Sequence, residues 1–263
     1  MRRTLRTRPR PADAWATVAV ALLLLGGCAT RAPLLPPLVV QPSADAELLS
    51  QVAELQAEGA RRGSVRAVAR VRIEGPSGSG TVREIILARR PASLRLEGLN
   101  FLGQTQSLLV TDGQRFLFFD GQEFEQGPVN PDTLMRTLGL DLAPAEAVEA
   151  LLVAPLDGSE PPAAPREVWA RGEERWLSYP VRRLRLGPGG ELRGIQAIDP
   201  LGGVRWEAEY AEWRPLGGSR YPFAITLSFP GSQVRAEVDF EEVELNPPLE
   251  ARLFRPVLGE ARP

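Results

Sequence analysis

The chain of 263 residues contains no histidine, no lysine and one cysteine, so its 31 basic residues are all arginines. Without histidine there is no Ser-His-Asp or Cys-His arrangement, no imidazole base and no HExxH zinc helix. Without lysine there is no Schiff base and no phosphate-binding P-loop lysine. No activated nucleophile can be nominated from the remaining carboxylates and hydroxyls. We therefore expect no catalytic residues, no metal site and no cofactor.

The N-terminus has the layout of a secretory signal. Residues 2–10 carry five arginines, and an apolar run of eleven residues follows from Trp15 to Leu25. This run is shorter than the roughly 20 residues that a bilayer-spanning helix needs. It ends in Leu25-Gly26-Gly27-Cys28, which resembles the lipobox of bacterial lipoproteins. The resemblance implies a lipoprotein signal peptide over residues 1–27 and acylation of Cys28; a plain signal peptide with a chance cysteine is the alternative.

The residues after the cysteine predict where the protein resides. Ala29, rather than an acidic residue, follows Cys28 and favours the outer membrane, so we expect a lipid-anchored, periplasm-facing protein. Four prolines predict an extended tether over residues 28–43, ahead of a domain over residues 44–258. Without the signal peptide, the chain has 26 arginines against 32 carboxylates, a formal net charge of −6. This charge argues against nucleic acid as a partner.

The periodicity of the domain changes from helical to extended at Ser64. Ser43 or Asp45 can cap a helix that carries Leu48, Val52 and Leu55 on one face and ends at Gly63. From Ser64 onward, apolar and polar residues alternate in short segments with turn residues between them, including the Asp-Gly pairs at residues 112–113 and 120–121. Two short helices, after Asn130-Pro131 and from Pro144, interrupt this pattern. The prediction is a mainly β (α+β) fold of roughly eleven antiparallel strands, curved into an incomplete barrel.

The interior of this barrel has two interpretations. Several strands carry large apolar side chains at alternate positions, as in Trp206 to Tyr210 and in Phe223, Ile225 and Leu227. Such a sheet can close over its helices as a plain packed core, which base rates favour, or it can leave an apolar cavity of lipid size.

Three groups of short motifs carry a family resemblance, and together they cover about residues 44–258. They are Leu94-Arg95-Leu96-Glu97-Gly98 with Phe101-Leu102-Gly103-Gln104, then Leu138-Gly139-Leu140-Asp141-Leu142 with Pro144 and Leu151-Leu152, and finally Val243-Glu244-Leu245-Asn246-Pro247-Pro248 with Leu253-Phe254-Arg255-Pro256. In this order they resemble the LolA/LolB superfamily and, within it, the LolB-like outer-membrane lipoproteins.

The resemblance implies a fold, a cargo and a partner. The fold is an incomplete antiparallel barrel with a lid of short helices over an apolar cavity. The cavity would receive the acyl chains of lipoproteins, or lipid, from a LolA-like periplasmic carrier, and the protein would help to insert them into the outer membrane. The tentative cavity residues are Leu94, Leu96, Trp206, Tyr210, Phe223, Ile225 and Leu227.

The same resemblance implies a protruding membrane-insertion loop. By motif it contains Leu102, with Phe101 and Leu99 as neighbours. Three large apolar residues between glycines are unusual for a solvated turn, although the loop could also fold inward and plug the core.

Two other functions stay open. The protein could be an envelope lipoprotein that uses the same fold to bind a protein partner or to sense, without lipid transfer. It could also be a hydrolase, since Glu237, Asp239 and Glu241 share one strand face. However, these carboxylates alternate with apolar residues, so a solvated outer face explains them better.

Overall fold

The computed structural model describes residues 38–41, 45–156 and 164–256. Cys28, the signal peptide and most of the predicted tether lie outside the described residues. So does most of the proline-rich segment between residues 155 and 165.

The described chain contains three α-helices, fourteen strands and one short 3-10 helix. The helices are α1 (Ala46–Arg61), α2 (Thr133–Leu138) and α3 (Pro144–Leu151), and the 3-10 helix is Ala251–Phe254. The strands are β1 (Leu38–Gln41), β2 (Ser64–Gly75), β3 (Gly78–Arg89), β4 (Ser93–Leu99), β5 (Thr105–Thr111), β6 (Arg115–Phe119), β7 (Phe124–Pro128), β8 (Glu167–Arg171), β9 (Glu174–Ser178), β10 (Arg182–Leu186), β11 (Leu192–Ile198), β12 (Val204–Leu216), β13 (Ser219–Phe229) and β14 (Val234–Leu245).

All fourteen strands form one antiparallel sheet in the order β1-β8-β9-β10-β11-β12-β13-β14-β2-β3-β4-β5-β6-β7. The long β14–β2 pair joins the two halves of the chain, and β1 and β7 are the end strands. The sheet curves around α1 and α3 without closing, which confirms the predicted fold class. The predicted strand number is lower because β1 lies within the predicted tether, and because the Glu-Gln-Gly sequence inside β7 has no residue type that favours strands.

Local sequence signals set the helix ends. The Asp45 carboxylate accepts a hydrogen bond from the backbone N–H of Leu48 at 2.8 Å, which confirms Asp45 as the N-cap of α1. For α2 the prediction is early by two residues: the Asn130 side chain accepts from the backbone N–H of Asp132, and the helix begins at Thr133.

The turns divide the sheet into two edges. We call one edge the open edge; its turns are residues 76–77, 100–104, 120–123, 179–181, 199–203 and 230–233. We call the other the closed edge, because α1 runs directly into β2 there and packs across the concave side. In α1, Leu48 and Val52 are fully buried against the sheet, and Gln51 accepts a hydrogen bond from Arg175 at 2.8 Å.

Two buried tyrosines hold the end of α3. Tyr210 Oη donates a hydrogen bond to the carbonyl of Ala150 at 3.1 Å. Tyr221 Oη donates to the next carbonyl, that of Leu151, at 2.6 Å. The last carbonyls of a helix have no partner within the helix, and Tyr221 supplies a donor to that of Leu151. The Ala150 carbonyl also accepts from the backbone N–H of Val153 at 3.1 Å, so Tyr210 adds a second donor to it. Burial raises the pKa of both tyrosines, which therefore remain donors.

Arg62, which is 4% exposed, continues this arrangement. Its Nη1 lies 3.3 Å from the carbonyl oxygen of Leu152 and 3.4 Å from that of Val153. Its Nη2 pairs with Glu58 at 2.8 Å, and its guanidinium lies 5.9 Å from the ring centre of Tyr221. Burial lowers the pKa of Arg62, and the Glu58 carboxylate opposes this effect. A single guanidinium thus joins α1 to the end of α3.

Tyr221→Phe should lower the free energy of unfolding by about 1–3 kcal/mol, because it leaves the Leu151 carbonyl buried without its donor. Urea denaturation measures the change. Tyr179→Phe is the matched control, since the Tyr179 hydroxyl is buried and has no hydrogen-bond partner among the described residues, and its removal should be neutral or stabilising. Equal losses in the two variants would contradict the anchoring role of Tyr221.

Candidate functional site

The concave side of the sheet is sealed near the closed edge and partly accessible farther from it. Val65, Ala88, Leu94 and Phe116, near the closed edge, are at most 1% exposed, and so are Trp206 and Phe229 close to open-edge turns. Farther from the closed edge, six other inward-facing apolar side chains are only partly buried. These six residues, which we call the trough, are Ile73, Val82, Leu96, Phe118, Leu227 and Val234.

Helix α2 lies beside the trough. The Ser232 hydroxyl, in the β13–β14 turn, donates a hydrogen bond at 3.2 Å to the carbonyl of Gly139, directly after α2. Arg136 of α2 pairs with Glu125 of β7 at 3.0 Å. Leu134 of α2 is 1% exposed and belongs to the packed core. Helix α2 therefore covers part of the concave side beside the trough.

A carboxylate also faces the concave side. Glu84 of β3 lies opposite the buried Ala69 of β2 and is flanked on the same face by Val82 and Ile86. Its side chain is surrounded by apolar groups while the residue stays partly exposed, and burial raises the pKa of this carboxyl from 4.5 to about 7. No hydrogen bond or ion pair of Glu84 occurs within the described residues.

The loop between β4 and β5 is built to display its tip. The Asn100 side chain accepts hydrogen bonds from the backbone N–H groups of Leu102 and Gln104 at 2.9 and 3.0 Å. Gly103 adopts a positive φ of 76°, a conformation that favours glycine. Phe101 and Leu102 consequently point into solvent, 94% and 66% exposed.

Beside this loop lies a surface pocket of about 400 Å³. It is lined by Thr81, Val82, Arg83, Leu99, Asn100, Phe101, Gly103 and Gln106. Thr81 and Arg83 lie on the outer face of β3, so this pocket lies on the convex side of the sheet, beside the base of the loop.

The large apolar side chains that are exposed in the described residues share one location. Phe101, Leu102, Phe124, Val181 and Leu201 all lie in or next to turns of the open edge, and Met135 lies on α2 beside it. Single exposed apolar residues are ordinary, but a set confined to one edge is typical of an interaction surface.

Solved structures share this architecture. A LolA superfamily protein from Nitrosomonas europaea superposes with a TM-score of 0.53 at 12% identity, over 80% of this chain and 96% of that one. A DUF1329 family protein from Desulfovibrio piger superposes with a TM-score of 0.50 at 7% identity, over 80% of this chain and 96% of that one. No family model and no curated protein sequence matches the chain. The chain has the LolA-superfamily fold.

Within the LolA-like fold, the predicted cavity residues occupy three environments. Leu94, Trp206, Tyr210 and Ile225 are at most 2% exposed and belong to the closed core. Leu96 and Leu227 lie in the trough. Phe223 is partly buried, with the Arg214 guanidinium 4.3 Å from its ring centre.

The predicted loop residues also differ from one another. Phe101 and Leu102 form the exposed tip, whereas Leu99 is the last residue of β4 and is partly buried.

Periodicity and motifs in the sequence do not identify the polar and peripheral parts of this site. Glu84 occupies an inward-facing position between Val82 and Ile86 on β3. A carboxylate at a position where the alternation predicts an apolar residue is the sequence feature that could have revealed it. Val181 and Leu201 are single apolar residues in turns, and only the sheet order places them on the edge that carries Phe101.

Among the described residues, no helix is long and apolar enough to cross a membrane. No group of three or more potential ligands in the described chain is placed to hold a metal ion.

Glu84→Gln should stabilise the protein at about pH 8 and leave its stability unchanged at about pH 4. The folded state raises the pKa of Glu84 to about 7, so it binds this proton more tightly than the unfolded state does, and wild-type stability falls as the pH rises from 4.5 to 7. The expected gain at about pH 8 is about 1–3 kcal/mol, measured by urea denaturation at both pH values.

Asp239→Asn is the control for this experiment, because it removes an exposed carboxylate from β14. It should change stability by less than about 0.5 kcal/mol. A Glu84→Gln effect that is equal at the two pH values would show that Glu84 is not held in an apolar environment.

Proposed function

We propose that this protein is an outer-membrane lipoprotein that binds the acyl chains of lipoproteins, or of lipids, in the trough and helps to insert them into the outer membrane. A LolA-like periplasmic carrier would supply the cargo, and acylated Cys28 would anchor the protein with its domain in the periplasm. Such transfer requires binding and release of the acyl chains without covalent chemistry. The observation that supports this proposal most is that the trough and the exposed apolar tips share the open edge.

The energetics suit a transfer protein. Each methylene group that leaves water for the trough contributes about 0.8 kcal/mol, so one long acyl chain supplies several kcal/mol of binding. Release is favourable only where another apolar phase offers the same burial, as a bilayer does. Phe101 and Leu102 at the open edge can enter such a bilayer at little cost, because they are already solvent-exposed in the free protein.

A second candidate is the binding of a protein partner without lipid transfer. The packed part of the interior favours it, since Trp206, Tyr210 and Ile225, all predicted cavity positions, are at most 2% exposed in the core. The exposed tips would then contact a protein instead of a membrane.

Acyl-chain binding is tested with the full chain carrying Cys28→Ser, which cannot be acylated, and a fluorescent diacylated lipopeptide. Val82→Trp should weaken binding at least about tenfold, because the larger side chain fills the trough. Thr81→Trp, on the exposed outer face of the same strand, should leave binding unchanged. If the chain carrying only Cys28→Ser does not bind the lipopeptide, the lipid-binding proposal fails and the second candidate is favoured.

Membrane delivery is tested separately with Leu102→Glu. The added charge should abolish transfer from the protein to lipid vesicles while lipopeptide binding and stability stay within about 0.5 kcal/mol of wild type, because Leu102 is exposed. Ser77→Glu is the control, since it adds the same charge to the neighbouring β2–β3 turn without removing an apolar side chain. Loss of both binding and transfer would show that the loop is part of the core.

A further inference from the structure

The feature behind this inference is a row of small and polar residues across the apolar concave side. In register, Glu84 of β3 lies between Ala69 of β2 and Gly98 of β4, and Gly98 in turn faces Ser107 of β5. A Cβ added at Gly98 would collide with Ser107 Oγ and would lie 3.2 Å from Val82 Cγ2. The absence of a side chain at Gly98 thus lets Ser107 Oγ and the Val82 methyl group lie over its backbone, and no side chain of β4 stands between Glu84 and Ser107 in this row.

The charged groups on the surrounding elements are engaged elsewhere. The arginines nearest in sequence register, Arg70 and Arg83, lie on the outer face and pair with Glu241 at 3.8 and 2.9 Å. On β14, the inward neighbour of Ala69 is Phe240, which carries no charge.

The two helices over this region likewise offer Glu84 no cation. On α3, which packs against β3 and β4, the carboxylates of Glu146 and Glu149 pair with Arg205 and Arg90. On α2, Arg136 pairs with Glu125. The Glu84 carboxylate thus faces the trough without a partner in the described chain.

An unpaired carboxylate among apolar side chains is costly, and a cation that arrives with a ligand removes this cost. An ammonium group has three donors, which matches two carboxylate oxygens and the hydroxyl oxygen of Ser107. We propose that Glu84 and Ser107 form a polar subsite in the trough that binds an ammonium group carried by an acyl-chain amphiphile. This inference rests on the proposed acyl-chain binding and adds a preference for the head of the ligand.

The test compares two probes of equal chain length, decylammonium and decanol, on the full chain carrying Cys28→Ser. At about pH 8.5, wild type should bind decylammonium about tenfold more tightly than decanol, because Glu84 is ionised. At about pH 5.5 the carboxyl is protonated and the preference should disappear. Isothermal titration calorimetry gives both dissociation constants.

Substitutions of Glu84 and Ser107 test whether the preference for decylammonium over decanol arises at the subsite. Glu84→Gln should abolish the preference at about pH 8.5 and keep decanol binding, and Ser107→Ala should reduce it. Asp239→Asn changes the net charge equally on the outer face and should retain it. Circular dichroism confirms that each variant is folded.

The outcomes separate this inference from the proposed function. If decanol binds but decylammonium is not preferred, or if Glu84→Gln keeps the preference, the subsite is wrong while acyl-chain binding stands. If neither probe binds, both the subsite and the proposed acyl-chain binding fail.

Two further pairs of ligands identify the natural source of the ammonium group. One is a diacylated lipopeptide with a free or an acetylated N-terminus, and the other is lysophosphatidylethanolamine against lysophosphatidylcholine. A preference for the member with a primary ammonium group is expected in at least one pair; none in either pair would overturn the inference.

Discussion

The buried end of α3 is the constraint on which the rest of the structure depends. Its last carbonyls accept hydrogen bonds from Tyr210, Tyr221 and Arg62, and Arg62 is held in turn by Glu58 of α1. Each of these groups would be costly to bury alone, so the arrangement is stable only when all of them are present. It brings both helices onto the concave side near the closed edge and fills that half of the barrel.

Filling one half of the interior determines where a ligand can bind. A half-barrel of fourteen strands has more inward-facing apolar surface than two helices cover, and the uncovered part lies toward the open edge. There the six trough side chains remain partly exposed, and the turns carry Phe101, Leu102 and Leu201 outward. A rigid, closed half and an accessible, apolar half are what a protein needs to hold an acyl chain and still release it.

Polar groups shape the accessible half as much as apolar ones do. The Asn100 side chain accepts two backbone hydrogen bonds within the β4–β5 loop and so holds the loop in a conformation that exposes Phe101 and Leu102 to solvent. Glu84 places a carboxylate where an apolar residue would pack better, a local conflict of the kind that proteins retain mainly at functional sites.

The sequence by itself determined the local structure: the Asp45 cap, the Asp-Gly turns, most of the strands, the mainly β class and the apolar character of Phe101 and Leu102. These features depend on periodicity and on hydrogen bonds between residues close in the chain, which a single sequence displays. Only the tertiary structure decided that Tyr210 anchors a helix instead of lining a cavity, that Leu96 and Leu227 are accessible while Leu94 is not, and that Leu201 shares an edge with Phe101. Those outcomes depend on which strands become neighbours and which part of the sheet the helices cover. Contacts between residues 60 or more positions apart, such as that of Tyr210 with Ala150, leave no periodic signal in the chain.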